Sequence, residues 1–255
     1  VGGVRFDPSG FNGADNSHYI SSTGLLAFGE GGVDDAEDAD VIIHELGHGL
    51  HDFLTAGGLS QVNGLSEGVG DYVAQSSSRS LNQWASNETQ YQWVFNWDGH
   101  NEFWPGRVPN YGATYPAGLV GEVHSDGQIW ATCLMKIWND VGRTKTDAAV
   151  FEGLAMTNGS SSQNDAAQAV LQAAVALGYT SGEINSFVTR FQQTGYTVSI
   201  GIDYVSSAVP DQCPADGNHV NGILEPGETA DIDVTLKAAS LSHTNVVGIL
   251  STSTP

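Results

Sequence analysis

The residues best placed to do chemistry are two histidines and a glutamate in the run His44-Glu45-Leu46-Gly47-His48. On a helix, residues four positions apart lie on one face, so both imidazoles can bind the same metal ion. Glu45 would then lie beside that metal, where a carboxylate can take a proton from water. A His-Glu-x-x-His run is a weak signal by itself, and the alternative is a surface helix with two incidental histidines.

The flanks of this run and a later acidic pair strengthen the metal interpretation. Catalytic zinc usually has three protein ligands and leaves one position to water. Glu67 and Asp71 are four positions apart, so we expect Glu67 to be the third ligand and Asp71 to accept a hydrogen bond from a ligating histidine. The alternative is a pair of solvated carboxylates near a helix start. The apolar positions that predict a buried helix around the histidines are Val41, Ile42, Ile43, Leu46, Leu50, Phe53 and Leu54.

With both motifs, the chain resembles the thermolysin-like zinc endopeptidases, and most closely the bacterial relatives of fungalysin. In that group a Glu-x-x-x-Asp helix follows the His-Glu-x-x-His helix, and here Glu67 and Asp71 follow His44 and His48. The resemblance covers about residues 12 to 196. It implies an α+β, mainly α, catalytic domain that uses Zn²⁺ to hydrolyse bonds in a peptide or protein substrate, with Glu45 as the general base.

The resemblance also implies substrate-binding and calcium-binding residues. Asn16 and Ser17 match the residues of an edge strand that binds the substrate backbone, and Arg107 matches an arginine that binds a substrate carbonyl. Val41, one helical turn before His44, is expected to line an apolar pocket for the residue after the cleaved bond. Asp40 matches a calcium-binding aspartate of the family.

A second catalytic residue is implied near residue 124. The stretch from Glu122 to Ala131 resembles the family's second active-site histidine, which opens a helix. His124 is therefore expected to stabilise the oxyanion by donating a hydrogen bond. Either Glu122 or Asp126 would orient its ring.

Several positions depart from the family pattern. Only 43 residues precede His44, so we expect either a reduced N-terminal β lobe or a processed fragment. The family's oxyanion tyrosine is absent between His48 and Glu67, which leaves Tyr111 and Tyr115 as open alternatives. Two rival functions follow: a zinc-binding module with weak or no activity, and a zinc exopeptidase whose cleft is closed at one end. Two further departures are Ser66 in place of an asparagine and, in place of a calcium-binding carboxylate, Ser78 or a neighbouring residue.

Composition narrows the class of partner and the compartment. Eight basic and 29 acidic residues give a net charge of −21, which disfavours nucleic acid and anionic membranes as partners. The sequence has no apolar run long enough to span a bilayer. Because the chain begins at Val1 rather than Met, we expect that an upstream segment has been removed. We predict a secreted, extracellular monomer without membrane insertion.

The chain is expected to contain two parts, a catalytic domain at 1–200 and a β-rich extension at 203–255. The extension is expected to be part of a β-sandwich module or, alternatively, strands packed on the catalytic body. Period-two alternation over Ala230–Leu236 and the run Val246–Leu250 predict strands in the extension. Its turn at 216–228 offers candidate calcium ligands, although the spacing is not that of an EF-hand; they are Asp216, Asn218 and Glu225. A bridge between Cys133 and Cys213 is left open.

Within the catalytic part, composition and periodicity predict the local elements. Residues 1–15 are expected to be loop, 24–29 a short strand, 82–120 a long ordered loop over the cleft, and 146–195 helical. Thr180 and Glu183 form the pattern of a capping box.

Overall fold

The structure is a computed structural model that describes residues 5–208 and 232–238 of the 255-residue chain. Contacts between Cα atoms divide the chain into two compact units, residues 1–199 and 200–255. The first unit is mainly helical with one small sheet, which confirms the predicted α+β class. None of the described helices is long and apolar enough to cross a membrane.

A three-stranded sheet forms the N-terminal part of the first unit. Strand β1 (Arg5–Asp7) runs parallel to β3 (Leu25–Ala27), and β3 pairs antiparallel with β2 (His18–Ile20). The strand order β1-β3-β2 leaves β2 at an edge. The strand predicted at 24–29 is confirmed, whereas the prediction of loop throughout 1–15 is wrong. Strand β1 forms by pairing with a segment 20 positions away, which its Gly-, Asn- and Asp-rich surroundings do not reveal.

Three long helices carry the motif residues, and two of them approach unusually closely. They are α1 (Ala39–Leu54), α2 (Leu65–Ser80) and α3 (Val123–Val141). A Cβ added to Gly47 of α1 would lie 2.8 Å from the Cα of Gly70 on α2. A Cβ added to Gly68 of α2 would collide with the backbone oxygen of Gly127 on α3. These glycines let α2 lie directly against both neighbouring helices.

Three more helices complete the first unit and confirm the helical prediction for 146–195. They are α4 (Arg143–Leu154), α5 (Gln163–Ala176) and α6 (Ser181–Thr194). The predicted capping box of Thr180 and Glu183 is present at the start of α6. The core between α3 and α6 is aromatic, with Trp130 stacked on Phe191 at a centroid distance of 6.0 Å.

Residues 82–120 are largely irregular, as predicted, with a short 3-10 helix at Thr89–Gln92 and an isolated bridge between Val94 and Arg107. The acidic start of α1 holds this segment in place. Asp38 accepts hydrogen bonds from the backbone N–H groups of Trp97 and Asp98 at 2.9 and 2.8 Å. The segment is therefore fixed against the helix that carries His44 and His48.

In the second unit, β4 (Ile202–Ala208) pairs antiparallel with β5 (Asp233–Ala238), close to the strand predicted at 230–236. The candidate strand at 246–250 and the turn at 216–228, with Asp216, Asn218 and Glu225, lie outside the described residues. Cys133 is a free, buried thiol, and Cys213 also lies outside the described residues. The assignment of 203–255 to a β-sandwich module stays a prediction.

Candidate metal centre

Helices α1 and α2 bring two histidines and a glutamate together. The Nε2 atom of His44 lies 3.3 Å from Oε2 of Glu67, and Nε2 of His48 lies 3.6 Å from Oε1 of Glu67. Tetrahedral zinc with bonds of about 2.0–2.2 Å separates its ligand atoms by about 3.4 Å. All three side chains are buried, with residue exposures of 3, 8 and 6 %. The spacing and the nitrogen and oxygen donors of this group therefore fit one zinc ion.

The outer ring nitrogens of both histidines have partners. Nδ1 of His44 lies 3.0 Å from Oδ1 of Asp71, and Nδ1 of His48 lies 2.8 Å from Oγ of Ser66. When Nδ1 donates to such a partner, Nε2 is left unprotonated for a metal. Asp71 therefore lies beside His44 as the spacing predicted, and its role as an orienting group stays a prediction. Ser66 was noticed in the sequence only as a departure from the family, because nothing in its spacing shows that it reaches His48.

The three candidate ligands His44, His48 and Glu67 are close enough to shift one another's pKa. Burial and Arg107 oppose protonation of His44, but the carboxylates of Asp71 and Glu67 outweigh them and raise its pKa. Burial lowers the pKa of His48 to about 3. Burial also opposes ionisation of Glu67, yet the neighbouring histidines hold its pKa well below its usual value. This direction favours the ionised form of Glu67, which is the form of a carboxylate that binds zinc.

Glu45 lies on α1 between the two histidines and lines the same cleft. It is buried, and its Oε2 atom has no hydrogen-bond partner among the described residues. Burial is the main cause that raises the pKa of this carboxyl above its ordinary value. A raised pKa makes a carboxylate a better acceptor of protons near neutral pH.

His124 approaches the centre from the N-terminal end of α3. Its Nε2 atom lies 3.5 Å from Oε2 of Glu67, and its Nδ1 lies 2.6 Å from Oε1 of Glu122. Partial burial opposes ionisation of Glu122, but the backbone N–H groups of His124 and Ser125 outweigh it and lower its pKa to about 2. Of the two candidate orienting carboxylates, Glu122 is the one that contacts the His124 ring. Asp126 instead accepts from the backbone N–H groups at 120 and 121.

Gln61 is a residue that the sequence reasoning missed. It lies on the connection between α1 and α2, lines the cleft, and donates from Nε2 to Oε1 of Glu67 at 2.8 Å. An isolated glutamine in a loop carries no motif that would single it out. The contact gives Oε1 of Glu67 a hydrogen-bond donor, whereas its Oε2 has none in the described residues.

The cleft around the centre has a volume of about 820 Å³, and it contains the sequence-predicted substrate residues Asn16, Ser17, Val41 and Arg107. Two of them already have partners. Ser17 donates from Oγ to Asp35, and Arg107 donates from Nε to Oδ1 of Asp71 at 2.9 Å. Arg107 also lies 3.3 Å from Nε2 of His44, so it acts on the metal centre as well as on the cleft.

The two alternative tyrosines occupy different places. Tyr111 lines the cleft, whereas Tyr115 packs on Tyr196 at a centroid distance of 5.0 Å.

Asp40, the calcium candidate of α1, is buried and accepts from the backbone N–H of Phe95 at 3.1 Å and from Nδ2 of Asn96 at 2.9 Å. It is not part of the aspartate group of the cleft described below.

The sequence that carries this site matches the model of a known protein family. Residues 30–175, more than half of the chain, match the model of the fungalysin metallopeptidase family (M36). The matched region includes the two histidines, Glu67 and His124. No curated protein matches the chain. The chain belongs to the fungalysin family of metallopeptidases.

Proposed function

We propose that the chain is a zinc-dependent endopeptidase in which Glu45 is the general base. The observation that carries the proposal is the convergence of two Nε2 atoms on the Glu67 carboxylate, with Nδ1 of each histidine held by Asp71 or Ser66. His44, His48 and Glu67 would hold the zinc ion. When bound, zinc supplies a Lewis acid for the scissile carbonyl and a water of lowered pKa.

Glu45 would take the proton from the attacking water and pass it to the leaving amine. Its position between the two histidines, its burial and its unpartnered Oε2 support this role. Because Glu45 is not one of the three converging ligands, a change at this residue need not disturb the metal.

His124 would donate a hydrogen bond to the oxyanion that forms on the substrate. A ring that donates from both nitrogens carries a positive charge, and the carboxylate of Glu122 against Nδ1 is the counter-charge for that form. Tyr111 is the better of the two tyrosines as a second donor, because it lines the cleft. His124 lies on α3 and Tyr111 on the segment 82–120, so neither donor comes from the two helices that carry the proposed zinc ligands.

The substrate would be an extended peptide alongside β2. Asn16 precedes this edge strand, and Val41 supplies an apolar contact one turn before His44. Arg107 would reach a substrate carbonyl with the part of its guanidinium that Asp71 does not use. The net charge of −21 argues against nucleic acid as the substrate. We also propose that the protein is secreted and monomeric.

Two substrates separate this function from its rivals. Denatured casein tests for general proteolysis, and an internally quenched peptide blocked at both ends tests for cleavage away from the termini. An endopeptidase hydrolyses both, loses activity with a chelator, and recovers it with zinc. An exopeptidase leaves the blocked peptide intact, and an inactive zinc-binding module leaves both intact, so either result would overturn the proposal.

A further inference from the structure

A second acidic group lies on the cleft and contains none of the zinc ligands. Asp15, Asp35 and Asp98 each bring one carboxylate oxygen to within 4.8 Å of the others, and all three line the cleft. They come from three separate segments: the turn before β2, the short 3-10 helix Asp35–Glu37, and the long segment 82–120. The group therefore exists only in the folded protein.

Asp35 and Asp98 are buried, and Ser17 donates a hydrogen bond to only one of the two carboxylate oxygens of Asp35. Asp35 is 2 % exposed, and its Oδ1 has no partner in the described part of the chain. Asp98 is 7 % exposed, and its hydrogen bonds within residues 5–208 and 232–238 are made by its backbone. A buried carboxylate oxygen without a partner is costly, so a cation at this group would offset that cost.

The neighbouring acidic residues of α1 are different because they are already satisfied. Both oxygens of Asp38 accept backbone N–H groups, and Asp40 accepts from Phe95 and Asn96. The carboxylates of Asp15, Asp35 and Asp98 are thus the candidate cation ligands at this end of the cleft, and Asp35 offers Oδ1 because its Oδ2 accepts from Ser17. Burial, and then the charges of Asp35, Asp15 and Asp38, raise the pKa of Asp98 to about 7, as expected for carboxylates that repel one another.

We propose that Asp15, Asp35 and Asp98 form a calcium site that ties the turn before β2 to the long segment 82–120. Oxygen ligands alone suit a hard cation, and calcium accepts irregular geometry at about 2.3–2.6 Å, whereas magnesium requires a near-ideal octahedron. The bound ion would fix the wall of the cleft that carries Asn16 on one side and Arg107 on the other. The site differs from the one that the sequence assigned to Asp40.

The experiment uses the zinc-loaded full chain in calcium-free buffer, and its readouts do not depend on peptidase activity. Thermal unfolding is followed with and without CaCl₂, and terbium luminescence excited through tryptophan reports direct binding, since Trp97 adjoins Asp98 in sequence. Calcium should raise the Tm of the wild type, and terbium should bind and be displaced by calcium.

The variants are Asp98→Asn, Asp15→Asn and Asp34→Asn. Asp34 is the matched control, because it is exposed, neighbours Asp35 and loses the same charge. Calcium affinity should fall at least about tenfold in Asp98→Asn and Asp15→Asn, and by less than about twofold in Asp34→Asn. Without calcium, Asp98→Asn should have a higher Tm than the wild type, since it removes repulsion. Asp15 is exposed, so its variant keeps the test valid if Asp98→Asn does not fold.

Three results would overturn the proposal. In the first, calcium leaves the Tm of the wild type unchanged. In the second, Asp34→Asn weakens calcium binding as much as the other two variants do. In the third, a lysine-containing peptide displaces terbium while calcium does not, which would make the group a subsite for a cationic substrate side chain.

Discussion

The cleft has two walls that differ in how they hold their acidic groups. On the helix wall, formed by α1 and α2, the histidines that meet Glu67 are each held from behind by Asp71 or Ser66. On the loop wall, formed by the turn before β2, the 3-10 helix Asp35–Glu37 and the segment 82–120, Asp35 and Asp98 are buried. Oδ2 of Asp35 accepts from Ser17, whereas its Oδ1 has no partner in the described residues. The histidines of the helix wall thus have protein partners, whereas on the loop wall we propose that a cation supplies the partner that Asp35 lacks.

The largest expected effect is at the third ligand of the helix wall. Glu67→Ala should reduce zinc affinity by more than about a hundredfold, because two histidines alone hold zinc poorly. Zinc content after dialysis, measured by elemental analysis, checks this result. Glu37→Ala, at an exposed glutamate just before α1, is the control and should retain zinc. Equal zinc content in Glu67→Ala and the wild type would show that Glu67 is not a zinc ligand.

The next largest effect is expected at the two proposed oxyanion donors, His124 and Tyr111. Loss of one oxyanion donor costs about 3 to 4 kcal/mol, or two to three orders of magnitude in turnover. His124→Ala should therefore lose about that much kcat with little change in zinc content or KM. Tyr111→Phe should also lose rate, and Tyr115→Phe, which alters a residue packed on Tyr196, should not. Near-normal rates in His124→Ala and Tyr111→Phe would mean that the cleft is placed wrongly.

A smaller effect is expected at the groups behind the histidines. Asp71→Ala should weaken zinc binding by about ten- to a hundredfold, as is typical when a partner of a ligating histidine is lost. Ser66→Ala should weaken it less, because a neutral hydroxyl stabilises the donating ring less than a carboxylate does. Competition with a chromophoric chelator measures both variants. A larger loss in Ser66→Ala than in Asp71→Ala would contradict this ranking.

The smallest effect concerns the packing that brings the helix wall together. A Cβ on Gly70 would lie 2.5 Å from Nδ1 of His44, so Gly70→Ala should lower the free energy of unfolding by about 1 to 3 kcal/mol. Gly182→Ala is the matched control on α6, where an added Cβ meets nothing within 4 Å. There alanine should be neutral or stabilising by up to about 1 kcal/mol. Denaturant unfolding measures both, and equal stabilities would argue against the close α1–α2 approach.

The parts of the site that lie within one helix could be predicted from the sequence. His44 and His48 are related by one helical turn, and so are Glu67 and Asp71, so local spacing was enough to propose them. The capping box of Thr180 and Glu183 was readable for the same reason, and the structure contains it. The family pattern then added His124, which the fold brings within 3.5 Å of Glu67.

The contacts that the sequence did not reveal are made between distant segments. Strand β1 exists only through its pairing with β3. Ser66 reaches His48 from a different helix, and Gln61 reaches Glu67 from a loop. Asp15, Asp35 and Asp98 converge from three segments with no common periodicity. Spacing along the chain describes neighbours on one element, and it does not describe which loops fold against each other.

The central claim is that Glu45 is a base beside the metal and not a ligand of it. The direct test is to measure zinc content and kcat on the same preparation of Glu45→Gln. Zinc should remain at the wild-type level, while kcat on the blocked quenched peptide falls by about two to four orders of magnitude, the usual contribution of a general base. A variant that retains more than about a tenth of wild-type turnover, or that loses its zinc, would contradict the claim.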